Sequence, residues 1–456
     1  MNGRPSAPPS NLEELVGEVV RLALHRGATD AEATAVSGTE FFAQVRMGEV
    51  EQLKEAGSRA IGLRVFVGRR TGSATTSDLT PEGLARMVSA ALENAAVTTD
   101  DPSAGLPDAA ELGRLDAELA LYSSDVEVLP ADWKIAQARL AEQAALAADP
   151  RITNSDGGTF DSRVSERAFA NSRGFSGSYR SSSCSLAAVP VAQQDGRLER
   201  DYWYTLARSP AQLEPAEAVG REAARRVLRR LGSRKLPTQK APVLFESRVA
   251  RSLLSALFEA VSGDSIYRHA SFLEGQLGET VASCCVTVID DPTIPGLFGS
   301  APFDDEGVPG RRKVVIERGV LKLYLHNSYT ARKLGEKTTG NAGRGLAGNP
   351  WVDHGNFYLE AGDRSLEQLV AGLRRGLLVT ELMGQGVNIV NGDYSRGAAG
   401  LWIEHGEIAY PVSEVTIAGN LRSMLLGIEA VGSDLEFRGS TASPSILIGE
   451  MTISGN

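Results

Sequence analysis

Glu259 is the one charge between Leu253 and Val261. It lies in Leu253–Arg268 (LLSALFEAVSGDSIYR), where Leu253, Leu254, Leu257, Phe258 and Val261 fall on one helical stripe. A lone helical carboxylate of this kind usually marks a solvated face. Gly263, just past the last apolar residue, predicts the end of that helix. Asp304-Asp305-Glu306-Gly307 sets three acids before a glycine, which suits paired acid chemistry, a hard cation or an exposed turn. Gly392-Asp393-Tyr394-Ser395-Arg396-Gly397 mixes acceptors, an aromatic ring and a cation. That composition fits recognition of a peptide backbone and terminus, or equally a structural loop.

Other chemistries find little support. His25, His269, His326, His354 and His405 include no pair at helical ligand spacing, so a metal site would need histidines distant in sequence to converge. No G-x-S-x-G nucleophile elbow exists. Gly343–Gly348 spells G-x-G-x-x-G, but no strand precedes it and Asn349-Pro350 follows, so no helix N-terminus is there to hold a phosphate. The glycine-rich Thr338–Pro350, with Asn341 and Arg344, is expected to be a flexible loop over a cleft.

The elements that must position these residues fill a chain of 456, too long for one ordinary core, so two domains are expected. Apolar residues at 42% and charged residues at 23% give the balance of a soluble globular protein. No apolar run is long enough to span a membrane, and residues 1–10 read as a disordered tail without a signal peptide's apolar region. Cys184, Cys284 and Cys285 cannot make a disulfide framework, which points to the cytoplasm. Cys284 and Cys285 are expected buried in a strand over Val281–Ile289. A net charge of −10 argues against nonspecific nucleic-acid binding.

The expected class is α+β. Over residues 11–232, Asn11 caps a first helix, a hairpin turns near Gly48, and Pro81 opens a second helix. An acidic connector follows over 98–129, then a helix Trp133–Ala148 with Trp133, Ala136, Leu140 and Ala147 on one face. A meander spans Ile152–Leu206 with turns at Asp156-Gly157-Gly158, Arg173-Gly174 and Asp195-Gly196. In the helix Glu217–Leu231, the face bearing Arg221, Arg225, Arg226, Arg229 and Arg230 is expected to be solvated or to meet a partner. The larger, β-rich domain is expected over 233–456. It holds a strand Pro242–Phe245, a hairpin around Glu317-Arg318-Gly319, a helix Leu366–Leu378, and strands at Val387–Val390, Gly400–Glu404, Glu407–Pro411 and Ser445–Ile453.

Several stretches in order, Val45–Leu63, Asp101–Pro107, Asp304–Gly307, Gly392–Gly400 and Trp402–Val412, resemble the TldD/PmbA metallopeptidase family, most nearly its PmbA (TldE) branch. The catalytic branch carries His-Glu-x-x-x-His where this chain has Phe258, Glu259 and Gly263. A phenyl ring and a glycine offer no lone pair to zinc. The family's third ligand, a cysteine, resembles the position of Arg438, which would then set a cation at the metal's place, within reach of Glu259. The resemblance therefore implies a degenerate zinc helix, no cofactor in this chain, and zinc in a TldD-like partner. The two chains would enclose a cavity for unfolded peptides or small peptide precursors. Asp304, Asp305, Glu306, Asn341, Arg344, Asp393, Tyr394, Ser395 and Arg396 are its candidate lining. Two rivals stand: a homodimeric peptide or amide hydrolase with a site of its own, and a peptide-binding module without protease activity.

Overall fold

The computed structural model describes residues 11–455, so the expected tail over residues 1–10 lies outside the described residues. Helix α1 (Leu12–His25) starts at Asn11, whose side chain accepts the Glu13 N–H at 2.9 Å. It buries Leu15, Val16, Val19 and Ala23 against a sheet formed by β1 (Asp30–Arg46), β2 (Glu49–Val67), β3 (Arg70–Thr76), β4 (Ile152–Asn171), β5 (Ser176–Gln194), β6 (Arg197–Arg200) and β7 (Trp203–Ala207). The order is β3-β2-β1-β4-β5-β6, with β7 also beside β5. β1 and β4 are antiparallel neighbours, so strands on either side of the connector make one sheet. Helix α2 (Pro81–Val97) begins at Thr80, and the connector includes one helical turn, α3 (Asp125–Val128).

Three expectations change in this domain. The segment Asp156-Gly158 is a bulge inside β4, where the register with β5 slips between Ser155 and Gly158. The following helix, α4 (Ala131–Leu146), buries Lys134, Ala138, Ala141, Glu142 and Ala145 and leaves Trp133 and Ala136 exposed. The cause is close packing: a Cβ on Gly158 would stand 2.0 Å from the Ala138 carbonyl oxygen, so only a small-residue face can meet the bulge. Glu142 on that face accepts the N–H groups of Met47 and Gly48 and fixes the β1–β2 turn. In α5 (Ala216–Leu228) and the turn after it, the arginine face divides. Arg221 and Arg225 are exposed, whereas Arg226 is buried on Glu246, Arg229 joins it, and Arg230 bridges Glu199 and Glu381. Those acids belong partly to the second domain, so much of the predicted solvated face is an internal junction.

The second domain begins at β8 (Gln239–Phe245) and α6 (Ser247–Val261), followed by α7 (Gly263–Tyr267). Next come β9 (Val288–Asp290), β10 (Lys313–Glu317), β11 (Val320–Leu321), α8 (Ser328–Leu334), β12 (Ala342–Gly343), β13 (Trp351–Val352) and β14 (Phe357–Leu359). The chain ends with α9 (Leu366–Ala371), β15 (Arg375–Met383), β16 (Asp393–Glu404), β17 (Glu407–Asn420), α10 (Leu421–Leu426), β18 (Ile428–Val431), β19 (Thr441–Ala442) and β20 (Ile446–Ser454). One sheet runs β17-β16-β15-β8-β20-β18 and another β11-β10-β9-β14-β19, while β12 and β13 pair alone. α6 shares a core with both larger sheets through Leu253, Leu257, Phe245, Val288 and Phe357.

Here too the sequence misled locally. The strand expected over Val281–Ile289 shrinks to Val288–Asp290, and Cys284 and Cys285 sit exposed on a turn instead of buried. The helix expected over Leu366–Leu378 stops at Ala371, because Leu377 and Leu378 enter β15 and pair in parallel with Val243 and Leu244. A strand buried on both faces reads as an unbroken apolar run, which helical spacing cannot be told from. Val387–Val390 keeps only an isolated bridge from Val387 to Tyr394.

The domains meet over buried charge. Glu32 of β1 is fully buried and pairs with Arg64 of β2 at 2.6 Å and with Arg344 of the glycine-rich segment. Arg344 also donates to Thr34 at 2.8 Å, and nearby Arg167 of β4 pairs with Asp305 at 2.8 Å. Removing the Glu32 charge leaves two buried guanidiniums short of an anion, which costs about 3–5 kcal/mol for a buried pair. Glu32→Gln is therefore expected to lower unfolding free energy by that order in urea titrations, with loss of domain association preceding global unfolding.

Candidate functional site around helix α6

The amphipathic spacing of α6 fixes what its last turn presents. With Leu253, Leu254, Leu257, Ala260 and Val261 buried, Phe258 falls at the edge of the core and Glu259 on the exposed side. The Phe258 ring lies edge-on to His354, with centroids 4.6 Å apart, and 5.7 Å from Phe357. His354 bonds through Nδ1 to the Gly355 carbonyl and through Nε2 to Thr441 Oγ1. Glu259 has no hydrogen bond or ion pair among the described residues.

Gly263 does not end α6. The helix stops at Val261, Ser262 turns extended, and Gly263 opens α7. Its glycine identity follows from crowding: a Cβ would stand 2.4 Å from His326 Nδ1, 2.7 Å from Thr330 Oγ1 and 2.9 Å from the Leu325 carbonyl oxygen. Burial drives the His326 imidazole down to about 4, so it is neutral at pH 7. Its Nδ1 lies 3.3 Å from Thr330 Oγ1.

Arg438 does not reach Glu259 as expected. Its guanidinium pairs with Glu214 at 2.9 Å and Glu436 at 2.7 Å, lies over the Trp203 ring at 4.2 Å, and donates to the Tyr204 carbonyl. This position ties the C-terminal loop to the first domain. Phe258, Gly263 and Arg438 thus offer no metal donor, and among the described residues no three His, Cys, Asp or Glu side chains gather to hold an ion.

The acidic segment is a brace and not an exposed turn. Asp304 accepts the N–H groups of Glu306, Val308 and Ala342. Burial, with the charge of Glu306 beside it, pushes the Asp304 carboxyl up to about 8. Glu306 is fully buried and accepts from the Ser328 N–H and hydroxyl, while Asp305 accepts the Arg344 N–H. The glycine-rich segment is correspondingly fixed: residues 338–344 are buried, and only 345–349 surface. Within it Asn341 donates to Asp290 and to the Asp353 carbonyl, each at 2.8 Å, and accepts from Lys313. The flexible loop expected there is held by both domains.

Asp304, Asp305 and Asn341 line a cleft of about 280 Å³ with His354, Tyr179 and Phe303. Glu306 and Arg344 are not among its lining residues. Asp393, Tyr394, Ser395 and Arg396 are elsewhere, at the start of β16, where they pair with Asn420, Gly419, Ala418 and Ile417. Asp393 is exposed and Tyr394 is buried. The sequence reading missed His354, Tyr179 and Phe303 as cleft residues. His354 stands in Asp353-His354-Gly355 between two short strands, and nothing in its spacing separates it from the other histidines.

Comparison with known proteins agrees with this architecture. Models of PmbA/TldA metallopeptidase domain 1, central domain and C-terminal domain match residues 31–95, 124–231 and 238–455. The chain is 44% identical over 446 residues to the metalloprotease PmbA of Escherichia coli O157:H7, covering 97% of this chain and 96% of that one. A crystallised protein from Bacteroides thetaiotaomicron described as a DNA gyrase modulator superposes with a TM-score of 0.92 at 27% identity, over 99% of this chain and 100% of that one. TldE from Thermococcus kodakarensis shares the fold, with a TM-score of 0.86 at 22% identity over 97% of this chain and 100% of that one. The chain belongs to the TldD/PmbA metallopeptidase family, in its PmbA (TldE) branch.

Two outcomes follow. Gly263→Ala should destabilise the chain by about 1–3 kcal/mol through overpacking, read as a fall in melting temperature, because the Leu325 carbonyl and the Thr330 hydroxyl crowd the new Cβ as well as His326. The second concerns pH. His326 is depressed on folding, so the unfolded chain binds the extra proton as pH falls. Its contribution is full above about 6.5 and is lost toward about 4, roughly 3 kcal/mol in all. The difference in urea stability between the natural chain and His326→Gln should show that loss between those pH values, and a flat difference would refute the neutral buried imidazole.

Proposed function

We propose that the chain is the noncatalytic, TldE-type subunit of a two-chain zinc metallopeptidase, working in the cytoplasm on unfolded peptides or small peptide precursors. A TldD-like partner supplies zinc and the general base. The observation that carries this reading is what stands at the matching positions: Phe258 packed edge-to-face with His354 and Phe357, and Gly263 closed off by His326. Support also comes from Arg438, which is committed to Glu214 and Trp203. Without a metal donor set, Glu259 has no bound water to deprotonate. This chain's part is then to complete the cavity wall, with the cleft at Asp304, Asp305, Asn341 and His354 facing it, and to stabilise the assembly.

Related chains pair pseudo-symmetrically because each offers the other a similar patch, and an obligate interface of this kind buries upward of about 2,000 Å². Mixing the chain with a TldD-like chain should give a stable heterodimer by size exclusion with light scattering. That heterodimer should digest casein-type unfolded substrates and spare folded domains. The chain alone should hold no stoichiometric zinc by elemental analysis and show no chelator-sensitive activity. Glu259→Gln should leave turnover by the pair within about threefold, since loss of a true general base costs about 100-fold or more. Separate elution at micromolar concentrations, or full activity of the TldD-like chain alone, refutes the subunit reading.

A further inference from the structure

A second cavity, of about 160 Å³, lies between the two domains and shares no lining residue with the cleft beside α6. Arg64, Asp101, Asp264, Tyr267, Arg268 and Tyr329 form most of its chemistry. A cavity of about 150 Å³ admits a benzene-sized ligand, so this one has the capacity of a small organic molecule. Its walls are charged on both sides. Arg64 is 5% exposed, holds Glu32 through Nε, and turns Nη1 toward Asn349 at 3.4 Å, itself a lining residue. Arg268 lies exposed at the rim, its guanidinium over the Tyr267 ring and its Nε donating to the Tyr267 hydroxyl.

The acids are equally built in. Asp264 accepts the Val352 N–H through Oδ2 at 2.7 Å, and its Oδ1 has no hydrogen-bond partner among the described residues. Against the cost of burial, hydrogen bonds from Ser103, Tyr329 and Lys333 hold the Asp101 carboxyl below its ordinary range. Glu306 completes the wall and is raised by burial. A simple anion in this space would meet Asp101 and Asp264, and a simple cation would meet Arg64 and Arg268. A neutral apolar molecule would strip water from all four without replacing it. A ligand carrying one positive and one negative charge finds a wall group of opposite sign for each.

We propose that this interdomain cavity binds a free α-amino acid as the zwitterion, its carboxylate directed to Arg64 and Arg268 and its ammonium to Asp264 and Asp101. The two hydroxyls, from Tyr267 and Tyr329, flank the ligand. Because the pocket is walled by both domains, occupancy stabilises their association by mass action. The inference stands on the cavity and not on the subunit role, so either can fail alone.

The test is titration calorimetry and thermal shift on the full chain with each common amino acid at up to about 10 mM, a range in which even weak binding registers as a rise in melting temperature. N-acetylated and amidated forms of each binder serve as one-charge controls. At least one free amino acid should bind, and blocking either end should weaken it about tenfold or more. Asp264→Asn keeps an acceptor for the Val352 N–H, and should weaken the free amino acid about tenfold while removing the penalty for N-acetylation. If Asp264→Asn does not fold, Arg268→Gln at the exposed rim should remove the penalty for amidation instead. No binding by any amino acid, or equal binding of free and blocked forms, overturns the proposal and leaves the space as hydrated cavity.

Discussion

Glu32 is buried in the middle of the sheet of the first domain, and the arrangement of the whole chain depends on what surrounds it. Two guanidiniums converge on it, Arg64 from the neighbouring strand and Arg344 from the glycine-rich segment of the second domain. Arg64 already pairs with Glu32 inside the first domain, and Arg344 adds a second buried cation to the same carboxylate from the second domain, so the charge site is completed only when the domains are docked. Gly62 shows how close that approach is: a Cβ on it would fall 1.8 Å from the Leu346 carbonyl oxygen. The Asp305–Arg167 pair and the Asp304 hydrogen bonds continue the same contact, so the acidic segment, the glycine-rich segment and β1 form one polar unit.

That unit decides which surfaces remain available for function. Arg344, which would otherwise be free to bind a ligand, is spent on holding the domains, and the cleft retains Asp304, Asp305, Asn341 and His354 at its walls. Around α6 the logic is steric. Phe258 closes one side of the helix end with aromatic edges, and His326 fills the volume beside Gly263. A close-packed interior leaves no such space empty, since unfilled volume costs stability as surely as overpacking does. Arg438 makes a cation–π and ion-pair tie to Trp203 and Glu214.

Much was legible in the sequence. The helical stripe of α6, the Asn11 cap, the Pro81 start, the Gly48 and Arg318-Gly319 turns and the family resemblance all rest on local spacing and on residues the backbone conformation demands. The identities of Phe258 and Gly263 alone established that these two positions offer no metal donor. Spacing failed where an apolar run has two readings, as at Leu377 and Leu378, and where a helix of small residues buries the face that approaches a bulge most closely, as in α4. It failed again for the arginines after Ala224, because a charge faces solvent by default unless a distant acid is folded against it, and Glu246 and Glu381 are distant in sequence.

The sequence by itself determined the secondary elements with strong periodicity and the membership of a family, since these depend on residue type and near neighbours. Only the tertiary structure decided where Arg344, Asp304 and Arg438 point, that His326 stands against Gly263, and that Asp393–Arg396 lie away from the cleft. The physical reason is that buried charges and close contacts are satisfied by whatever the fold brings near. Partners 312 residues apart, such as Arg344 and Glu32, leave no trace in local pattern.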